Sequence, residues 1–218
     1  MGIMGIKSRR ENWKTAVCFS PLFGEKSCRL AELLGAEPKL RPADVKLELF
    51  WLGMRDYLHK CEQKQGGTIQ VFVDLYNAHF ANLRSEVERF GEFQSLKRDN
   101  YDVSTGEQRA NLFSPLRNTE VDIVLETPDY LFVGEAKHEM SFGANGNLVL
   151  VHQLIRQYVM ATILVEMAKE QPKKGVIPFV VGDKTENLKR TCQVRFMIGQ
   201  GWLLERNVLG WDEIRSLA

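Results

Sequence analysis

Residues 119–138 read TEVDIVLETPDYLFVGEAKH, and no other stretch limits the folds open to this chain so strongly. Residues 119–127 alternate and are rich in β-branched side chains, Pro128-Asp129 supplies a turn, and residues 130–138 form a second apolar run. Together they predict a tight hairpin within a sheet. Asp122 stands among Val121, Ile123, Val124 and Leu125, and Glu135 and Lys137 close the run Leu131-Phe132-Val133-Gly134. Charges in strands this apolar are costly to bury unless they are paired, hydrogen-bonded or bound to a metal.

Alternation along a strand puts Glu135 and Lys137 on one face. If Asp122 faces the same side of the neighbouring strand, three charges converge. Two carboxylates and a backbone carbonyl make a hard-oxygen site suited to Mg²⁺ or Mn²⁺. A lysine beside them can orient a water or stabilise charge on a phosphoryl oxygen. That is the chemistry of metal-assisted phosphodiester hydrolysis. The competing reading is a structural ion-pair cluster at the sheet edge, since buried unlike charges pair without catalysing anything.

The acid-x-Lys triplet alone carries little weight, because it recurs at Glu37-Pro38-Lys39, Asp44-Val45-Lys46 and Glu62-Gln63-Lys64. Only Glu135-Ala136-Lys137 ends an apolar strand with an acid on the strand before it. Context separates it from the other three.

Around the hairpin the periodicity predicts helices. A basic start and a short helix near residues 27–34 read as a peripheral arm. Pro42 opens a helix with Leu47, Phe50, Trp51, Met54, Tyr57, Leu58 and Cys61 on one face, stopped by Gly66-Gly67. A second helix is expected over residues 69–90, although its opening IQVFVDL equally suits a strand. On its wheel Glu86 lies beside the apolar stripe, at the core's edge, whereas Glu88 points away. A strand is expected near 110–116, a glycine- and asparagine-rich loop at 141–147, and a long helix over 148–170 with Leu150, Leu154, Tyr158, Ala161 and Val165 inward. A buried strand at 176–181, a helix at 184–198, a strand at 202–204 and a terminal helix from Trp211 complete the order. Crossover helices feeding strands indicate an α/β protein, with a central mixed β-sheet flanked by helices.

On the helix after the hairpin, Gln153 and Arg156 lie one turn apart. Arg156 can hold a phosphate and Gln153 can orient water or lysine; a solvated helix face accounts for both equally well. His138 and His152 flank the site as neighbours. Lys184, Lys189, Arg190 and Arg195, interleaved with Phe196 and Trp202, suit either a backbone-binding patch or an ordinary surface.

The pattern TEVDIVLE, turn, YLFVGEAKH resembles the PD-(D/E)xK restriction-endonuclease-like superfamily. The resemblance spans about residues 70–181. It implies a helix-flanked mixed sheet and divalent-metal-dependent cleavage of nucleic acid. It also implies that Asp122 and Glu135 are metal ligands, with Ala136 contributing its carbonyl. Lys137 would assist the attacking water, Gln153 would be an accessory glutamine, and Glu86 would match an acid that some members carry on the preceding helix. Val121 stands where the family's proline would precede Asp122. The Gln-x-x-x-Tyr of one exonuclease-related branch is displaced by one, with Gln157 directly before Tyr158.

The domain organisation expected is a helical N-terminal extension over residues 1–68 and a nuclease-like domain over 69–218. A formal net charge of +1 means that any nucleic-acid binding must come from local basic patches. Cys18, Cys28, Cys61 and Cys192 form no CxxC and no zinc-ligand spacing, which suits reduced thiols in a cytoplasmic protein. No apolar run reaches the ~18 residues of a membrane span. The function expected is an Mg²⁺- or Mn²⁺-dependent nuclease acting on DNA, naturally a homodimer if both strands of a duplex are cut. The alternatives are an inactive nuclease-fold module that binds nucleic acid or protein, and an unrelated α/β interaction protein.

Overall fold

The computed structural model describes residues 10–37, 39–62, 69–91, 103–138, 152–168 and 172–218. Helices α1 (Arg10–Phe19) and α2 (Ser27–Leu33) precede strand β1 (Lys46–Trp51). Four helices follow: α3 (Gly53–Glu62), α4 (Ile69–Phe80), α5 (Leu83–Phe90) and α6 (Gly106–Arg117). The hairpin is β2 (Val121–Glu126) and β3 (Tyr130–Lys137). After it come α7 (Gln153–Ala168), β4 (Gly175–Gly182), α8 (Thr185–Lys189), α9 (Cys192–Gly199), β5 (Val208–Gly210) and α10 (Trp211–Leu217).

The five strands lie side by side in chain order. β1, β2 and β3 form an antiparallel meander, and β4 and β5 join in parallel, so the sheet is mixed. Helix α7 is the crossover that parallel pairing of β3 and β4 demands. Pro178 is tolerated in β4 because it lies opposite Val133 of β3, ahead of the Val180–Gly182 stretch that pairs with β5.

Both faces of the sheet are covered. On one, Val124, Val133 and Val180 pack against apolar residues of α3 to α7 and α9, including Met54, Phe72, Tyr76, Leu154 and Phe196. On the other, Ile123, Phe132, Phe179 and Val181 meet Phe19, Leu30, Trp211 and Ile214 from α1, α2 and α10. The protein is therefore a three-layered α/β structure. Among the described residues, no helix is long and apolar enough to cross a membrane.

Several expected elements differ. The helix expected from Pro42 is a strand over its first half: Leu47 and Leu49 pack on the α1–α2 side while Lys46 and Glu48 are exposed. That period of two matches pairing with β2, which runs from Lys46↔Glu126 to Trp51↔Val121. The helix resumes at Gly53, where an added Cβ would lie 1.9 Å from the Trp51 ring. The strand expected at 110–116 is the second half of α6. A capping box starts that helix: Gln108 N–H donates to Thr105 Oγ1 (3.2 Å), and Thr105 N–H donates to Gln108 Oε1 (2.9 Å). Residues 202–204 are not a strand; the last strand is Val208–Gly210. Two expected helices are each broken in two, between Phe80 and Leu83 and between Lys189 and Cys192. The expected loop at 141–147, Leu150 and the start of the long helix lie outside the described residues.

Candidate active site

β3 is buried along almost its whole length, so its last charged residues enter the protein with the strand. Glu135 is 1% exposed and Lys137 8%. Strand alternation turns both towards α7, on the face that carries Val133. Their partners show the same. Lys137 Nζ donates to Glu135 Oε1 and, at 3.2 Å, to Gln153 Oε1 at the start of α7.

Asp122 meets them from β2. The β2–β3 ladder runs from Glu126↔Leu131 to Ile123↔Gly134 and stops there, although both strands continue. Beyond that pair the Asp122 side chain replaces the ladder, its Oδ2 accepting the Ala136 N–H at 3.0 Å. In a strand the N–H and C=O of one residue point towards the same neighbour, so the Ala136 carbonyl also aims at this opening. Asp122 and Glu135 are opposite each other in the continued register, hence on one face.

Phe50 marks the same level of the sheet. It lies between the paired positions Leu49↔Ile123 and Trp51↔Val121, level with Asp122, and its φ is +57°. A bulky residue with positive φ costs on the order of 1–3 kcal/mol, strain that concentrates at functional sites.

Both Glu135 oxygens have partners. Oε1 takes Lys137, and Oε2 accepts from Gln157 Nε2 at 2.6 Å. Gln157 also donates to the Glu120 carbonyl at 3.1 Å, bridging the approach to β2 and the end of β3. Burial, and then the nearby Asp122 carboxylate, push the Glu135 carboxyl up to about 8, against the opposing pull of Lys137 and Gln157.

The donor set fits a hard cation: the carboxylates of Asp122 and Glu135 and the Ala136 carbonyl are all oxygen donors. Among the described residues, no three His, Cys, Asp or Glu side chains converge on such a position. Water would complete the shell, as suits Mg²⁺.

The structure thus brings together Asp122, Glu135, Ala136, Lys137 and Gln153. Glu86 is half-buried on α5, and no hydrogen bond or ion pair among the described residues joins it to the cluster. Gln157, which enters the sequence reading only as the glutamine directly before Tyr158, joins the cluster through Glu135. It stands four positions after Gln153, on the same face of α7, and that spacing was available to point to it.

The flanking residues divide. His152 is buried and held neutral, its pKa depressed to about 4 by burial. His138 stands at the end of β3 beside Lys14 and Asp183. In the basic stretch, Phe196 is core, Lys189 pairs with Glu186 (3.3 Å), and Arg195 covers the Phe90 ring (5.8 Å); Lys184 and Arg190 are exposed.

Comparison of the chain with protein-family models, with curated proteins and with solved structures returned no match.

Proposed function

We propose that the chain is a divalent-metal-dependent nuclease of the PD-(D/E)xK kind, hydrolysing phosphodiester bonds of DNA with Mg²⁺ or Mn²⁺. One observation carries the reading: Asp122, Glu135 and Lys137 share a face where β2 and β3 part, with the Ala136 backbone held between them. The helix-flanked mixed sheet is the setting the resemblance implies. A bound cation would supply Lewis acidity at a phosphoryl oxygen and make an attacking water easier to deprotonate. The chain's own residues do the rest. Asp122 and Glu135 hold the cation, Gln157 fixes the Glu135 carboxyl, and Gln153 steers the Lys137 ammonium towards the nucleophile or the developing charge.

One observation favours a structural cluster instead: Lys137, Glu135 and Gln157 satisfy one another without any ligand. A cleavage assay decides. Single-stranded, duplex and branched DNA and RNA are incubated with Mg²⁺, Mn²⁺ or chelator. The nuclease reading expects metal-dependent cleavage of DNA, abolished by Asp122→Ala and by Lys137→Ala. Equal residual cleavage by both variants would assign the activity to another site or another protein.

A further inference from the structure

Lys137 is held from two sides. Its ammonium faces α7, but its backbone belongs to the end of β3, which has lost its ladder to β2 beyond Gly134. On that stretch β4 alone continues the ladder, through Lys137↔Gly182. On the β2 flank the Asp122 carboxylate takes the place of the ladder at the Ala136 N–H, and misplacement of a functional side chain by about 1 Å can cost about 10²-fold in rate.

The far face of the sheet adds a hold on the backbone of Lys137 itself. Trp211, 2% exposed at the start of α10, donates its indole N–H to the Lys137 carbonyl at 3.2 Å. Gly182 leaves that carbonyl accessible, since a Cβ there would come within 3.2 Å of the Lys137 oxygen and 2.6 Å of Leu188. One residue further, His138 Nδ1 lies 3.1 Å from both Lys14 Nζ and Asp183 Oδ2. Lys14, from α1, is ion-paired with Asp183, and its ammonium stands 5.0 Å from the centre of the Trp211 ring. Lys14 therefore ties the residue after β3, the residue after β4 and the indole that holds Lys137.

We propose that Lys14, Asp183 and Trp211 are positioning residues for Lys137, forming a clamp at the end of β3 built from both ends of the chain. The proposal rests on the nuclease reading for its consequence, though not for its geometry.

Two readouts on the full-length protein test it. The first is the ¹⁵N–¹H spectrum of lysine ammonium groups, in which Lys137 is assigned by its loss in Lys137→Met. The clamp predicts that Lys14→Met and Trp211→Phe shift or broaden the Lys137 resonance, and that Lys14→Arg restores it. The second is kinetic. Lys14→Met and Trp211→Phe should lower kcat about 10- to 100-fold, the size typical of removing a group that orients a functional one, leaving KM and Mn²⁺ binding unchanged. Lys14→Arg should recover most of the loss. A Lys137 resonance and a kcat that both ignore Lys14→Met and Trp211→Phe would overturn the clamp. A wild-type protein that cleaves nothing would overturn the nuclease reading, and the lysine spectrum alone would then decide the clamp.

Discussion

Gln157 shows how much one uncharged side chain can hold in place. Its amide reaches the buried Glu135 carboxyl and the Glu120 carbonyl, so it joins the start of β2 to the charged end of β3. Gln157→Leu would leave both acceptors without this donor. Denaturant unfolding should show a loss of at least about 1–3 kcal/mol, the cost of a buried polar group left unsatisfied; a loss near zero would mean that other groups satisfy those acceptors. His152 gives a pH prediction. Its folded pKa, depressed to about 4 by burial, lies below the ordinary value of 6.5. Its contribution to stability is therefore complete above about 6.5 and lost as pH falls towards 4, because the unfolded chain takes up the proton first. Thermal unfolding of His152→Leu should lack that part of the acid-side slope; an unchanged slope would refute a buried neutral histidine. At this scale the sequence was legible where a charge broke an apolar run, as at Asp122, Glu135 and Lys137. Gln157 carried only a spacing, four positions after Gln153, and glutamine is at home in any helix, so nothing marked it as the partner of Glu135.

The elements place these residues through packing on the face away from the site. Gly134 precedes Glu135 in β3, and a Cβ there would lie 2.2 Å from the ring of Phe179, its partner on β4. The ring fills the space a side chain would need. Gly134→Ala should destabilise the protein by about 1–3 kcal/mol through overpacking, and Phe179→Leu should relieve part of that loss. Additive losses in a double-mutant cycle would show that the two do not compete for the same space. The elements that were misread share a cause. β1 alternates as a strand, yet its aromatic and leucine residues also satisfy a helical spacing, and pairing with β2 decides between them. α6 carries the capping box Thr105-x-x-Gln108, a helix start that outweighs the apolar look of its second half.

At the scale of the molecule, residues 1–68, expected to be a helical N-terminal extension, contribute a strand of the sheet as well as helices that cover it. β1 is an edge strand, and Phe19, Leu22, Leu30 and Leu34 are fully buried against the face that carries Phe132 and Phe179. Removing residues 1–45 would strip that face of α1 and α2. The truncated chain should be recovered aggregated, or should bind a hydrophobic dye in solution; a soluble, cooperatively unfolding product would refute the shared core. Such long-range closure is hard to read from a sequence, because periodicity reports which side of an element is apolar and not what covers it. The hairpin was legible because turn, alternation and charge all lie within twenty residues.

On the proposed reading, one cation-binding centre held by Asp122 and Glu135 serves Lys137 in cleavage. The most direct measurement titrates Mn²⁺ by electron paramagnetic resonance into the wild type, Asp122→Ala and Lys137→Met, with DNA cleavage followed on the same samples. The wild type and Lys137→Met should bind the ion, Asp122→Ala should lose it, and only the wild type should cleave. Wild-type binding by Asp122→Ala, or wild-type cleavage by Lys137→Met, would contradict it.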